Sequence, residues 1–251
     1  MYRGTEALVL KAFDLREADQ ILTVFSRDLG KIPVVAKGVK KPQSSLRGMV
    51  QPFCMSQFYL TRSGEMYLMT QGKIIRFFGN IREDLDKTLQ ALYILELLDK
   101  SLADYDPHPR LFKLTAEVFN YLEDNPASLI LLNFFEIHLL NMLGFSPVLH
   151  RCSNCGQTED LSFFSSSSGG VVCGRCAPSL KADAIMPAVQ AVLNTLSRSG
   201  INILPRLRIT SAVQKQVERV LEGYLEYYLE RKLNLKNVMR TLKGFSNGKD
   251  N

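Results

Sequence analysis

Four cysteines in two C-x-x-C pairs, Cys152/Cys155 and Cys173/Cys176, constrain this chain more than any other feature. A two-residue spacer lets both thiolates of a knuckle face one point, and a second knuckle 17 residues on completes a tetrahedral S₄ set suited to Zn²⁺. Gly156 and Gly174 fit the turns such knuckles need, because glycine accepts positive φ at little cost. Four thiolates fill the coordination shell and leave no position for water or substrate, so the metal is expected to be structural. Two disulfides in a secreted chain, or a redox C-x-x-C couple, share the same spacing and stay open as alternatives.

Only Cys54 remains, in a strand-like apolar stretch where a free cysteine behaves as a small buried hydrophobe. A chain of 251 residues can build a core without disulfides. The first residues, M-Y-R-G-T-E, lack the apolar run of a signal peptide, and no apolar stretch approaches membrane-spanning length. A soluble protein of a reducing cytoplasm is the expectation.

Charge is partitioned along the chain. Residues 1–80 hold 12 Lys/Arg against 6 Asp/Glu, residues 81–180 hold 7 against 13, and residues 181–251 hold 12 against 6. Between 29 and 64, Lys31, Lys37, Lys40, Lys41, Arg47 and Arg62 occur with no acid at all. An unneutralised basic stretch of this kind suits a phosphate backbone, with an affinity that falls as salt rises. Chance clustering on a solvated surface is the competing account.

The first eighty residues read as β structure. Segments 5–11, 20–26, 31–36, 53–60, 65–70 and 73–78 are short and rich in Val, Ile, Phe and Tyr. Turn signals at 28–30, 38–45, 63–64 and Gln71-Gly72 separate them. Five or six short strands in so few residues are most economically closed into a small barrel. Residues 37–45 then form a long basic loop at its mouth, whose Gly, Pro and Ser predict mobility. From Asp84 the period becomes helical, with helices expected over 88–102, 111–122 and 127–143. Ser165 to Gly170 reads as a flexible hairpin tip between the knuckles, followed by helices over 188–197, 211–232 and 234–242 and a polar tail over 244–251. Tyr224, Tyr227 and Tyr228 are assigned to core packing, and His138 to a satisfied core position.

The expected fold is therefore α+β, with a small β-barrel over 1–80, a helical domain over 81–150, an inserted Cys₄ segment over 151–180, and helices over 181–251 packing on the helical domain. Catalytic signatures are missing: there is no phosphate-binding G-x-x-x-x-G-K-[ST], no G-x-S-x-G elbow and no H-E-x-x-H. A binding protein rather than an enzyme is favoured. The aromatics Phe53, Phe58, Tyr59 and Tyr67 suit base stacking, although alternation places about half inside, and Phe58 and Tyr59 on opposite faces. Lys31, Lys37, Lys40, Lys41 and Arg47, extended by Arg62 and Arg76, form the expected nucleic-acid path. Arg206 and Arg208, with Lys215 and Arg219, offer a second basic surface. A zinc-ribbon RNA-binding or transcription-associated factor is the leading alternative.

The strings A-D-Q-I-L-T-V-F-S at 18–26, A-K-G-V-K-K at 36–41, L-R-G-M-V-Q-P-F at 46–53 and L-G-F-S-P at 143–147, followed by the four cysteines, closely resemble the RecO family of bacterial DNA-repair proteins. The resemblance covers nearly the whole chain. It implies an N-terminal OB-fold, a helical middle and a zinc-binding segment. It further implies a recombination mediator that binds single- and double-stranded DNA and anneals complementary strands. Such proteins act with RecR, and in some cases RecF, to load the RecA recombinase onto DNA coated by single-strand-binding protein.

Overall fold

The computed structural model describes residues 2–233, and the expected helix over 234–242 and tail over 244–251 lie outside them. The described chain separates into two compact units, residues 2–127 and 128–233.

Five strands open the first unit: β1 (Tyr2–Asp14), β2 (Gln20–Ser26), β3 (Gly30–Ala36), β4 (Cys54–Ser63) and β5 (Met66–Phe77). They close in the order β1-β2-β3-β5-β4. All neighbours are antiparallel except the β3–β5 seam, which is limited to Val34 opposite Tyr67 and Val35 opposite Leu68. Pro33 lies just before that seam, opposite Thr23 of β2. Alternation sends Ala7, Val9, Leu22, Val24, Ile32, Val34, Ala36, Phe58, Leu60 and Met69 into one core.

The sequence splits β5 at Gln71-Gly72, but the strand runs straight through. Gln71 and Gly72 stay paired with Tyr59 and Phe58, and the irregularity is a bulge at Tyr59/Leu60. Gly72 marks close packing rather than a turn, since a Cβ there would lie 2.7 Å from Met49 Sδ, 2.8 Å from Met69 Cε and 3.1 Å from Gln57 O, so the two methionine side chains would have to shift.

The basic segment between β3 and β4 also departs from expectation. It is a chain of turns, with Lys40 N–H bonded to Ala18 O (3.0 Å), Gly38 N–H to the Asp19 carboxylate (2.7 Å) and Met49 N–H to Leu46 O (3.0 Å). Val39 and Val50 are buried in the barrel core with Leu46 and Met49 packed on it, so this segment caps one barrel end as a folded element.

Helices α1 (Gly79–Glu83), α2 (Leu85–Ser101) and α3 (Pro109–Asp124) complete the first unit. Asp84 caps α2 by accepting the Lys87 N–H (3.0 Å), and Pro109 begins α3 where its missing N–H is harmless. The edge-to-face pairs Phe25–Phe112 (5.5 Å) and Phe78–Phe119 (5.4 Å) fasten α3 to the barrel wall and its exit.

The second unit contains α4 (Leu129–Met142), a small sheet β7-β6-β8 built from β6 (Phe163–Ser165), β7 (Gly170–Val172) and β8 (Asp183–Ala184), then α5 (Pro187–Arg198) and α6 (Ser211–Leu229). Helix α4 packs against α5 and α6. Their interface includes a polar relay: Gln214 Nε2 donates to Asn133 (2.7 Å) and Glu218 (2.8 Å), and Asn133 donates to the buried Glu136 (3.0 Å). His138 packs on Phe134 and bonds Ser199 O (3.1 Å), a satisfied histidine. Among the three tyrosines of α6, Tyr224 is buried, Tyr228 half-buried and Tyr227 51% exposed, so the core assignment fails for Tyr227. The hairpin tip is tied down rather than loose: Val148 N–H bonds Gly169 O (2.9 Å), Ser153 and Ser168 hydroxyls meet at 2.8 Å, and Tyr224 OH reaches Gly169 O (3.4 Å). Among the described residues, no helix is long and apolar enough to cross a membrane.

Candidate nucleic-acid interface and metal centre

The four cysteine sulfurs converge. The Sγ atoms of Cys152, Cys155, Cys173 and Cys176 all lie within 4.8 Å of one another, and Cys155 and Cys173 are 3.8 Å apart. A tetrahedral S₄ site with metal–sulfur bonds of about 2.3 Å has edges of about 3.8 Å. No disulfide links them, and Cys54 stands apart, buried, with its thiol pushed up by burial. The first knuckle turns through Gly156 at φ +80, with its N–H on Cys152 O (2.9 Å). Gly174 in the second knuckle does not use positive φ. A Cβ there would lie 2.5 Å from the Asp160 carboxylate oxygen that accepts the Gly174 N–H (3.1 Å), so that hydrogen bond would have to give.

The thiols differ in acidity. At Cys152, burial raises the pKa, but N–H groups of Cys155, Cys173 and Asn154 outweigh it and bring it to about 6. Backbone hydrogen bonding from Cys176 lowers Cys173 as well. Cys176 is helped by the Asn154 amide (3.3 Å), yet burial and its three sulfur neighbours push it up to about 11. Four thiolates cannot share so small a volume without a cation, and a divalent metal would supply that charge. The residues fit a closed structural site with no open position.

The barrel topology sorts the basic residues. One end is formed by Asp14, Gln20, Ala36, Cys54 and Phe77, where β1, β3 and β5 finish and β2 and β4 begin. Lys37, Lys40, Lys41, Arg47 and Arg76 all sit at this end and are exposed. Lys73, not singled out from the sequence, joins them on β5. Their acidic restraints are light. Lys40 reaches Asp14 at 2.6 Å across the surface, and Arg76 reaches Asp124 only at 4.0 Å. The Lys40 hydrogen bond, helped by Gln20, holds the Asp14 carboxyl below the usual range.

The other two expected contacts lie at the opposite end. Lys31 is 13% exposed in its side chain, donates to Asp99 O (2.8 Å) and faces the Asp104 carboxylate at 3.3 Å. It ties the barrel to the end of α2 and does not face solvent. Arg62 is exposed but stands on the β4–β5 hairpin, with Nε on Gly64 O (3.4 Å). The chain at Asp104 to Asp106 crosses this end, tightly enough that a Cβ on Gly30 would meet Asp106 O at 2.2 Å. Arg206 and Arg208 are exposed on the second unit, Arg206 at the end of the 3₁₀ segment Ile201–Arg206 and Arg208 just after it.

Stacking candidates also change. Phe53, Phe58 and Tyr67 are buried, leaving only Tyr59 partly accessible. Sequence reading missed Phe13 (59% exposed) and Phe77 (52%), which stand at the basic end with Ile74 and Ile75. Arg82 lies 4.4 Å over the Phe77 ring and holds that ring in place. Phe13 shares alternation parity with the inward Ala7 and Val9, but an irregularity between Val9 and Lys11 breaks that alternation and Phe13 lies exposed, so the sequence pattern alone does not reveal it.

Comparison with known proteins converges on one family. Residues 1–78 match the model described as "Recombination protein O N terminal" and residues 82–237 the model described as "Recombination protein O C terminal". The DNA repair protein RecO of Syntrophomonas wolfei is 44% identical over 244 residues, covering 97% of this chain and 98% of that protein. The RecO of Desulforamulus reducens is 38% identical over 84% of each chain, and that of Caldanaerobacter subterraneus 32% identical over 86% and 88%. The chain belongs to the RecO family of recombination proteins.

Proposed function

We propose that this protein is a DNA-repair and homologous-recombination mediator. It binds single- and double-stranded DNA through the basic end of its barrel and anneals complementary strands. Lys37, Lys40, Lys41, Arg47 and Arg76 neutralise phosphates, Lys73 extends their path, and Phe13 and Phe77 offer faces on which unpaired bases stack. The observation that carries this reading is the gathering of those cations and two exposed rings at the barrel end opposite the one crossed by Asp104 to Asp106. Annealing needs charge neutralisation without base-specific grip, so that strands slide into register, and duplex formation supplies the driving free energy. No covalent step is required of the protein, which acts as a binding protein and not an enzyme.

Cys152, Cys155, Cys173 and Cys176 hold a structural Zn²⁺ in this reading, favoured over other metals by an all-thiolate tetrahedral set. The mediator works in the cytoplasm with RecR, in some settings RecF, and helps load RecA onto strands coated by single-strand-binding protein. Family membership at 44% identity over nearly the whole chain supports these partners.

The deciding experiment is annealing of two complementary oligonucleotides, bare or coated by single-strand-binding protein, without ATP. Acceleration at low salt that fades as salt rises is expected. Intact DNA binding without acceleration would refute the annealing role, and a preference for RNA would favour the zinc-ribbon RNA-binding alternative.

A further inference from the structure

The second unit carries a cleft of about 210 Å³, separate from the cysteine cluster. Its walls are Ser165, Ser166 and Ser167 from the β6–β7 turn, Lys181 and Asp183 after the second knuckle, and the α6 face running through Arg219, Gly223 and Tyr227.

Gly223 is the informative residue. It sits inside a 19-residue helix, where glycine is the poorest helix former after proline. A Cβ built on it meets nothing within 4 Å, so no neighbour requires its absence. What the missing side chain does is leave the cleft floor open. One turn on, Tyr227 presents an exposed ring, braced edge-on by Tyr228 at 5.2 Å. Lys181 is exposed, on a left-handed backbone at φ +48. Arg219 pairs with Asp183 at 3.1 Å, but those side chains are 72% and 69% exposed. A pair so exposed is weak and exchanges readily for a better anion.

We propose that this cleft binds one nucleotide of an unpaired DNA strand, its base on Tyr227 over Gly223 and its phosphate between Lys181 and Arg219. The volume is below that of sites for whole small molecules and suits one planar group. A stacking ring beside cations is the combination used for sequence-tolerant single-strand binding, and guanidinium suits phosphate. An apolar side chain from a protein partner would leave both cations unused. Bases within a duplex are stacked on one another and cannot enter. The inference rests on the DNA-binding reading and gives it a second strand site, which annealing by one molecule needs.

The test uses the full-length protein, an oligodeoxynucleotide carrying 5-iodouracil, and the variants Gly223→Leu and Tyr227→Ala. Leucine is a good helix former and fills the floor, and circular dichroism checks that both variants fold. Photocrosslinking to the Tyr227 peptide is expected in the unaltered protein and lost in Gly223→Leu. Both variants should anneal bare strands about tenfold more slowly, the loss of one stacked base. Anisotropy titration of a first strand should change less than about twofold, since the barrel end is untouched. Unchanged annealing by folded Gly223→Leu, or no crosslink at Tyr227, overturns the proposal while leaving the barrel interface standing. Slowing confined to strands coated by single-strand-binding protein overturns it in favour of a protein ligand. Failure of the unaltered protein to bind bare DNA overturns the DNA reading itself.

Discussion

Replacing Lys37, Lys40 and Lys41 together by Gln removes charge without adding the repulsion that Glu would bring beside Asp14. If Lys37, Lys40, Lys41, Arg47 and Arg76 each neutralise one phosphate of a single strand, the slope of log K against log salt is at most about −3.5. Asp14 already engages Lys40 at 2.6 Å, so the measured slope should fall somewhat short of that limit. Between about 50 and about 200 mM salt, such a slope costs about 130-fold in affinity. With three cations gone, the slope becomes about −1.4 and the same salt step costs only about sevenfold. Fluorescence anisotropy of a labelled oligonucleotide across four salt concentrations measures both. Arg62→Gln, at the other barrel end, is the control and should leave the slope unchanged. An unaltered slope in the triple variant, or an equal loss in Arg62→Gln, would refute the assignment of DNA to this end.

Phe13→Ala with Phe77→Ala should weaken single-strand binding by about 1–3 kcal/mol per stacked base while leaving duplex affinity and the salt slope within error. Parallel titrations of both DNA forms check this. Cys173→Ser should lose bound metal and lower thermal stability by several kcal/mol, on the order expected for a structural zinc site, with DNA affinity of the folded fraction within about twofold. Metal analysis and melting curves decide it. Zinc uptake by metal-free protein at neutral pH should release fewer than four protons, because Cys152, held at about 6, is already largely ionised. As pH falls through that value its proton competes with the metal, so zinc affinity should drop on acidification, and an indicator titration reads both effects. Gly170→Ala should destabilise the second unit by about 3 kcal/mol or more, because its Cβ would lie 2.1 Å from Val148 O. A denaturant midpoint like that of the unaltered protein would contradict the packing described.

What could be read from the sequence was set by near neighbours. Strand β2 begins and ends where its apolar alternation does, Asp84 marks the change of period by capping α2, and the cysteine spacing foretells the cluster. What could not be read depends on distant partners. Gln71-Gly72 resembles a turn until the opposite strand and Met49 are known. Lys31 looks like one more free cation until Asp99 and Asp104 arrive from about 70 residues away. Phe58 and Tyr67 carry the composition of a stacking surface, but barrel closure buries them and leaves the less conspicuous Phe13 and Phe77 outside. The turns over 37–53 resemble a loose loop because Val39 and Val50, which pin them, are isolated apolar residues in a polar stretch.

The cysteine cluster has a consequence beyond its own knuckles. Its apolar surroundings are small: Val172, Ala177 and the two buried cysteines, with Leu161, Phe163, Leu180 and Ala182 only partly covered. So few apolar contacts cannot by themselves repay the entropy of ordering a segment of this length. A metal held by the four cysteines would supply the cross-link that a larger core would otherwise provide, joining the ends of the chain that carries β6 and β7. That hairpin holds the serine tip at one side of the α6 cleft, and the residues just past the second knuckle bring Lys181 and Asp183 to the other. Metal removal should accordingly loosen the cleft walls before it disturbs α6, which packs along α4 and α5 and would lose the contacts of Tyr224 with Phe164 and Gly169. Hydrogen exchange on metal-free protein would then show early loss of protection at residues 163–172 with α6 retained. Simultaneous loss in both would mean that the metal supports the whole second unit rather than its hairpin.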